Sequence, residues 1–347
     1  MTTTVNHWID NKEYISTSGR TAPVYDPALG VETKRVALAN GAEIDAAISA
    51  AKKAFPGWSK TSLAGRQQVI FKFRELLNAK KGELAEIITS EHGKVLSDAL
   101  GEITRGQEVV EFAVGMPQLI KGYYSENVST GVDVYSTRQA LGVVGIISPF
   151  NFPAMVPMWF FPIAIAAGNT VVLKPSEKDP SASIWIGKLW REAGLPDGVF
   201  NVLNGDKEAV DGLLHSPDVE AISFVGSTPI ARYIYEECAK AGKRVQSLGG
   251  AKNHMLVLPD ADLELVADSA INAGFGSAGE RCMAISVVVA VEPVADALIE
   301  KMQAAMQTLK VGAYSEKSND FGPVITKAHQ QKVVGYINSA EEQGATI

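Results

Sequence analysis

The sequence predicts an α/β protein with a doubly wound, Rossmann-type parallel sheet, a protruding β-hairpin and a second α/β domain. Three observations predict this fold. Short apolar segments recur from Leu141 onward, separated by amphipathic stretches of helical length, which is typical of βαβ units. The 139–173 stretch has no charged residue, as suits strands buried on both faces. Pro229 and Gly242 frame one intervening segment in the way that helix ends prefer.

Before the sheet, apolar residues at three- and four-residue spacing predict helices over Glu43–Ala54, Ser62–Lys80 and Lys81–Phe112. β-prone residues around Gly131 predict a protruding hairpin over Tyr123–Arg138, suited to contacts between subunits. In the sheet we predict strand Gly142–Ile147, helix Met155–Ala167, strand Thr170–Leu173, helix Ser181–Ala193, strand Phe200–Leu203, helix Lys207–His215, strand Ala221–Val225 and helix Pro229–Ala241.

A glycine-rich turn after Val245 marks the predicted start of a second domain. We therefore predict a sheet domain over 1–122 and 139–247, the hairpin over 123–138 and the second domain over 248–347. In that domain the pattern predicts strand Met255–Leu258, helix Leu263–Ala273 and strand Ile285–Val291.

Composition limits the possible functions. A chain of 347 residues with 46% hydrophobic side chains can bury a large core and divide into two domains. Its net charge of −7 gives no broad cationic surface, so we expect neither a nucleic-acid nor a membrane partner. Two cysteines and an N-terminus without signal or transit features predict a cytoplasmic protein. A membrane-spanning helix over 139–173 is the alternative, but prolines and glycines interrupt it.

Cys282 is the candidate nucleophile. It follows a glycine-rich loop at 274–279, so its thiol should be accessible, and neighbouring Arg281 would favour the thiolate. A buried structural thiol is the alternative. Cys238 lies beside two glutamates that oppose a thiolate, so we interpret it as structural. The loop glycines match the spacing G-x-G-x-x-G, but they follow a predicted helix and precede a strand, which is the wrong order for a dinucleotide site.

Further candidates stand at predicted strand ends, where open α/β sheets bind ligands. Gly226 and Ser227 lead from a strand into a helix whose free N–H groups favour an anion, although such residues also serve as plain caps. Lys174 and Glu177 offer a donor and an acceptor; the carboxylate suits ribose hydroxyls and repels a 2′-phosphate, which favours NAD over NADP. A solvated loop pair is the alternative there. Asn151, in a turn between prolines, could donate to an oxyanion or serve the turn alone.

Together, the chain from Val5 onward resembles the NAD(P)-dependent aldehyde dehydrogenase superfamily in four ordered segments: PFNFP at 149–153, KPSE at 174–177, FVGST at 224–228 and GERC at 279–282. The resemblance implies that Cys282 is the nucleophile and that Asn151, with the Cys282 backbone N–H, forms the oxyanion hole. It implies NAD as cofactor, no metal, and a homo-oligomer, dimer or tetramer, in the complete family form. The cofactor-binding residues that it implies are Ser148, Phe150, Lys174, Glu177, Lys178, Gly226, Ser227 and Gly249.

One difference from the motifs of the superfamily indicates which of its subgroups the chain resembles. Hydrolytic members carry a glutamate in a Glu-Leu-Gly-Gly-Lys motif that activates the deacylating water, whereas the matching stretch here has no carboxylate from Arg244 to Pro259. Attack by water on a thioester should then be slow, so that an external thiol can attack the thioester instead. The segments are similar to those of CoA-acylating methylmalonate-semialdehyde dehydrogenases, which implies CoA as co-substrate and assigns Arg105 and Arg281 to the substrate carboxylate. An exposed helix arginine is the alternative for Arg105.

The resemblance therefore implies NAD-dependent, CoA-acylating oxidation of malonate or methylmalonate semialdehyde to acetyl-CoA or propionyl-CoA, with loss of CO2. Two alternatives stay open: a hydrolytic dehydrogenase that recruits another base, and a catalytically silent NAD-binding homologue. The silent homologue is an alternative because the resemblance implies further catalytic-domain segments, and Phe321-Gly-Pro-Val matches one of them only in part. The resemblance implies that the 1–122 and 139–247 domain binds NAD, and we expect the 248–347 domain to be the N-terminal part of a catalytic domain.

Overall fold

The structure is a computed structural model that describes residues 3–346. Its strands are β1 (Thr3–Val5), β2 (His7–Ile9), β3 (Lys12–Tyr14), β4 (Thr21–Asp26), β5 (Val31–Ala37), β6 (Tyr124–Ser129), β7 (Val132–Tyr135), β8 (Val143–Ile147), β9 (Thr170–Lys174), β10 (Phe200–Val202), β11 (Val219–Val225), β12 (Arg244–Leu248), β13 (Asn253–Val257) and β14 (Ile285–Ala290). Its helices are α1 (Gly41–Lys60), α2 (Leu63–His92), α3 (Leu96–Val114), α4 (Met116–Leu119), α5 (Met155–Ala166), α6 (Ser181–Glu192), α7 (Lys207–His215), α8 (Thr228–Lys240), α9 (Leu263–Phe275), α10 (Ala295–Thr308) and α11 (Lys327–Glu342), with a short 3-10 helix at Gly276–Gly279.

The described residues divide into two compact units. The first comprises the described part of Met1–Pro23 with Lys34–Leu84 and Leu100–Gly249, and the second comprises Val24–Thr33, Ala85–Ala99 and the described part of Gly250–Ile347. The first unit holds a seven-stranded sheet in the order β12-β11-β8-β9-β10-β2-β3. The second holds the parallel pair β13–β14. The functional roles predicted for the domains stay predictions.

The central strands of the sheet explain the charge-free 139–173 stretch. Every residue of β8 and of β9 is buried, and the two strands pair in parallel. Parallel strands covered by helices on both faces need apolar residues at consecutive positions. Within residues 3–346, no helix combines the length and the apolarity that crossing a membrane requires.

Helices cover both faces of this sheet. On one face α1, α7 and α8 pack against the strands through aliphatic side chains, among them Ile44, Ile48, Leu213, Ile234, Val172 and Ile222. On the other face an aromatic cluster joins α2, α5, α6 and β10. In it Phe73 stacks on Trp190 with ring centres 3.8 Å apart, and Phe161 meets Phe200 edge-on at 5.2 Å. The arrangement is the predicted doubly wound one.

The predictions about the helical and hairpin segments have different outcomes. The predicted break between Lys80 and Lys81 is wrong, since α2 runs unbroken to His92. The predicted single helix over Lys81–Phe112 is wrong as well, since residues 93–95 separate α2 from α3. No proline stands at the predicted break, and the helix ends only where Gly93 adopts a left-handed backbone with φ of +88°. The hairpin predicted over Tyr123–Arg138 is confirmed: β6 and β7 pair antiparallel, and both strands are exposed throughout.

A buried carboxylate ties the N-terminal strands to α1. Glu43 is 1% exposed, and its Oε1 accepts the backbone N–H of Thr17 at 2.7 Å and the hydroxyl of Ser16 at 2.8 Å. Its Oε2 accepts the backbone N–H of Asn40 at 3.1 Å, which completes a capping box, and lies 3.3 Å from Nε2 of His7. Burial alone would raise the pKa of Glu43, but these donors hold it below its ordinary value.

Glu43→Gln is therefore expected to lower the free energy of unfolding by about 2 kcal/mol at neutral pH, because charge-assisted hydrogen bonds are lost. The pKa of folded Glu43 is lowered, so its stabilisation is present above the unfolded pKa and is lost as the pH falls through the folded value. The difference between wild type and variant should thus shrink in acid. Urea unfolding across this pH range measures it, with Glu83→Gln, an exposed change on α2, as control. A difference that stays constant down to acid pH would contradict the role of the charge.

Candidate active site

The order of the parallel strands defines a ligand-binding edge in the first unit. The order is β12-β11-β8-β9-β10, so the winding of the sheet reverses between β8 and β11. Open α/β sheets bind ligands at such a switch point, beyond the carboxyl ends of the strands. Nine of the predicted site residues follow or end β8, β9, β11 or β12 at this edge, namely Ser148, Phe150, Asn151, Lys174, Glu177, Lys178, Gly226, Ser227 and Gly249.

Ser148 begins the segment after β8 and is 4% exposed. Its backbone N–H donates to the carbonyl of Lys174 at 3.1 Å, which joins the ends of β8 and β9. Its hydroxyl is buried and has no hydrogen-bond partner among the described residues. A buried hydroxyl without a partner at a switch point suits a ligand that supplies the missing hydrogen bond.

Phe150 and Asn151 follow in the same segment, and both are partly exposed. The far end of the segment is fixed by Glu102, a fully buried residue of α3. Its carboxylate accepts the backbone N–H groups of residues 154 and 155, at 2.8 and 3.1 Å, where α5 begins. A negative charge at a helix N-terminus is stabilising, so Glu102 holds the turn that carries Asn151.

Glu177 lies between two lysines at the end of β9. Its Oε2 is 3.6 Å from Nζ of Lys174, and its Oε1 is 3.5 Å from Nζ of Lys178. Burial alone would raise the pKa of Glu177, but the lysines outweigh burial and hold the pKa below its ordinary value. Burial lowers the pKa of Lys174, and Glu177 opposes that shift. Nζ of Lys178 also lies 5.4 Å from the ring centre of Phe150, a cation–π distance.

The third part of the edge is the N-terminus of α8. Ser227 is the N-cap residue, yet its side chain makes no capping hydrogen bond, so the structure does not support the plain-cap alternative. Gly226 donates its N–H to the carbonyl of Leu248 at 3.1 Å, which joins β11 to β12. A Cβ on Gly249 would lie 3.1 Å from Oγ1 of Thr228, so the chain passes close to the first turn of α8.

These features fit a dinucleotide. The uncapped N-terminus of a 13-residue helix suits a pyrophosphate. The ionised Glu177 suits ribose hydroxyls, and the buried hydroxyl of Ser148, which has no hydrogen-bond partner among the described residues, could bond to the ligand. All three lie on one edge of the sheet.

Cys282 belongs to the second unit, in the turn between the 3-10 helix and β14, and its side chain is partly exposed. Asn253, the first residue of β13, donates its amide to the carbonyl of Cys282 at 2.9 Å and to that of Ala284 at 2.8 Å. These two bonds fix the turn. Cys238, in contrast, is fully buried in the sheet core, where burial raises the pKa of its thiol, as its structural interpretation predicts.

The backbone before Cys282 is strained. Ser277, Ala278 and Gly279 are all left-handed, with φ of 52°, 54° and 76°. This conformation costs a non-glycine residue roughly 1–2 kcal/mol, so neighbouring contacts must hold it. The loop follows α9 directly and is followed by β14, which agrees with the prediction that its glycines are not a strand-to-helix phosphate site.

Arg281 is one of the residues that hold this loop. Its Nη2 donates to Oδ1 of Asp98 at 2.6 Å, and its Nη1 donates to the carbonyl and the side-chain oxygen of Asn272, each at 3.2 Å. The carbonyl of Asn272 lies at the C-terminus of α9, where a cation is favoured. A Cβ on Gly276 would come within 2.5 Å of the guanidinium, which therefore lies directly over that residue.

Glu280 holds the other side of the loop. Its carboxylate is buried, and Oε1 accepts the backbone N–H of Ile325 at 3.3 Å and lies 3.8 Å from Nδ1 of His329. Its Oε2 lies 3.9 Å from Nε2 of His92. Burial, and then the charge of Lys94, keep the pKa of His92 well below its ordinary value, so this imidazole is neutral.

The two predicted substrate arginines differ in their surroundings. Arg105 is exposed on α3 in the first unit, and Arg281 is engaged with Asp98 and Asn272 in the second. Their roles toward a carboxylate stay predictions. Sequence reasoning missed Asp98 and Asn272, because their positions inside helical patterns carried no signal. It also assigned no role to Glu280, although the GERC segment contained it.

Comparison with known proteins adds the family. A family model described as "Aldehyde dehydrogenase family" matches residues 14–347. A malonate-semialdehyde dehydrogenase from Pseudomonas aeruginosa is 53% identical over 342 residues, which cover 98% of this chain and 69% of that protein.

Two crystal structures superpose closely. A methylmalonate-semialdehyde dehydrogenase from Oceanimonas doudoroffii gives a TM-score of 0.97 at 55% identity, covering 100% of this chain and 71% of that one. A protein from Sinorhizobium meliloti assigned the same name and complexed with NAD gives 0.98 at 50% identity, with the same coverage. They confirm the predicted fold class.

Proposed function

The chain belongs to the aldehyde dehydrogenase family, and we propose that it oxidises malonate or methylmalonate semialdehyde with NAD and transfers the acyl group to CoA. The observation that carries the proposal is the Cys282 turn. It presents a partly exposed thiol on a loop held from both sides, in a chain whose 244–259 stretch offers no carboxylate to activate water. The names of the relatives support the semialdehyde substrate.

The cofactor would be held at the carboxyl edge of the seven-stranded sheet. Ser227 and the first N–H groups of α8 would take the pyrophosphate, and Glu177 would take ribose hydroxyls. Bound there, NAD supplies the hydride acceptor. The negative charge of Glu177 would repel a 2′-phosphate, which supports NAD over NADP.

The reaction at Cys282 begins with addition of its thiolate to the aldehyde carbon, which gives a hemithioacetal with a negative oxygen. The family resemblance assigns the stabilising donor to Asn151 together with the Cys282 backbone N–H. Asn151 and Cys282 belong to different units, so this assignment rests on the resemblance alone. Loss of a hydride from the hemithioacetal carbon leaves a thioester on the cysteine sulfur.

The substrate carboxylate stands β to the thioester carbonyl. The electrons of the bond to that carboxylate can move into the carbonyl, CO2 leaves, and a proton restores the acetyl or propionyl thioester. The thiol of CoA then attacks the carbonyl carbon, the Cys282 thiolate departs, and acetyl-CoA or propionyl-CoA results. No carboxylate between Arg244 and Pro259 helps water to compete.

The hairpin β6–β7 is proposed as the contact between subunits of a homo-oligomer. Its exposed side chains include six large apolar ones, namely Tyr123, Tyr124, Val128, Val132, Val134 and Tyr135. An exposed apolar strand edge invites pairing with another strand. The cytoplasmic location predicted from the sequence stays part of this proposal.

The experiment that tests the proposal is an assay of this chain with malonate semialdehyde, NAD and CoA. NADH should form, and its steady-state rate should depend on CoA, because the thioester lacks an efficient water-activating base. Cys282→Ala should abolish NADH formation, and Cys238→Ala should retain it, since that thiol lies in the core. A rate unaffected by CoA would show a hydrolytic enzyme, and no turnover by the wild type would show a silent one.

Glu177→Gln is expected to raise the dissociation constant for NAD by about tenfold, because a hydrogen bond to a charged acceptor is replaced by a weaker neutral one. The preference for NAD over NADP should narrow as well. Fluorescence titration with both nucleotides measures this. Glu220→Gln, an exposed change near the opposite end of β11, is the matched control. Equal affinities in wild type and Glu177→Gln would place the ribose elsewhere.

A further inference from the structure

The contact between Asp98 and Arg281 joins the first turn of α3 to the residue before the nucleophile. Asp98 Oδ1 and Arg281 Nη2 are 2.6 Å apart, and both side chains are about four-fifths shielded, at 23% and 20% exposure. A shielded ion pair is screened less by water and salt than an exposed one. Both residues belong to the second unit.

Three further contacts show that the guanidinium is held in one place. Asn272 accepts two hydrogen bonds from Nη1, and the backbone of Gly276 leaves no room beneath the group for a Cβ. The pair lines a cavity of about 300 Å³, whose wall also carries the carboxylates of Asp268 and Asp320.

The contacts with Asn272 and Asp98 do not use all the N–H donors of the Arg281 guanidinium. An arginine has five N–H groups; Nη1 uses its two on Asn272, and Nη2 uses one on Asp98. Among residues 3–346 Nε has no hydrogen-bond partner, so Nε–H and one Nη2–H remain for a ligand. A rigid pair of N–H groups suits a carboxylate better than a mobile side chain, because less entropy is lost on binding.

We propose that Asp98 is a positioning residue that determines specificity: it fixes Arg281 so that the remaining N–H groups bind the carboxylate of the aldehyde substrate. This inference rests on the proposed semialdehyde substrate. If Asp98 instead competed with the substrate for the N–H groups of Arg281, its charge would weaken carboxylate binding. Positioning predicts that loss of the Asp98 charge weakens carboxylate binding, whereas competition predicts that it strengthens binding.

Protection of Cys282 from alkylation separates these two effects without requiring turnover. The full chain is treated with iodoacetamide at increasing concentrations of malonate, and modification of the Cys282 peptide is followed by mass spectrometry, so that Cys238 does not interfere. Malonate should slow the reaction in the wild type. In Asp98→Asn the half-protecting concentration should rise by about tenfold, the effect of losing one charge-assisted contact. Asp98→Glu should recover part of the protection.

The controls are matched by position. Asp268→Asn changes a carboxylate of the same cavity that does not contact Arg281, and should not weaken protection. If Asp98→Asn does not fold, Gly276→Ala displaces the guanidinium from its other side and should act in the same direction. Gly274→Ala is its control, because the nearest atom to that Cβ is 3.6 Å away.

Steady-state kinetics give a second readout. Asp98→Asn should raise KM for malonate semialdehyde and leave KM for propanal, which has no carboxylate, unchanged. An equal rise in KM for both aldehydes would show that Asp98 has only a structural role and would contradict the inference. Tighter malonate protection in Asp98→Asn, or no protection in the wild type, would overturn the inference. Weaker protection in a chain that shows no turnover would instead count against the proposed function alone.

Discussion

Burial of two adjacent parallel strands on both faces is the constraint on which the first unit depends. β8 and β9 lie in the middle of the seven-stranded sheet with every residue buried, which demands the long charge-free stretch and the helices on either side. Polar groups can then meet a ligand only where these strands end. This is why Ser148, Lys174 and Glu177 lie at one edge, beside the reversal of winding at β8, and why we propose that the dinucleotide binds there.

The second unit depends on a different constraint, because it must hold the strained loop that precedes Cys282. Three left-handed residues precede Cys282, and the contacts of Arg281 and Glu280 on either side keep them in place. One side of the Arg281 guanidinium stabilises the loop, and we propose that its other side binds the substrate. Glu280 stabilises the loop from a buried position.

Sequence patterns predicted the four central strands of the seven-stranded sheet, β8 to β11, because burial on both faces is visible in the order of their apolar residues. Helix Lys207–His215 has its predicted bounds, and the strands deviate by a few residues at most. Strands β1–β5 and the edge strand β12 were not predicted. β1, β2 and β3 have only three residues each, which is too few for a pattern, and β4, β5 and β12 are partly exposed and mix polar with apolar residues. The break placed at Lys80 failed because charge alone does not end a helix. In the site, residues with local motifs were found, whereas Asp98 and Asn272 act through contacts from helices to Arg281 in the loop, which no sequence spacing reveals.

The proposed reaction requires that Cys282 carries the acyl group until CoA removes it. The most direct measurement is mass spectrometry of the chain after mixing with malonate semialdehyde and NAD in the absence of CoA, with quenching in acid. We expect an acyl adduct on the peptide that contains Cys282, about one NADH formed per chain, and loss of the adduct when CoA is added. Continued NADH formation without CoA and without an adduct on Cys282 would contradict it.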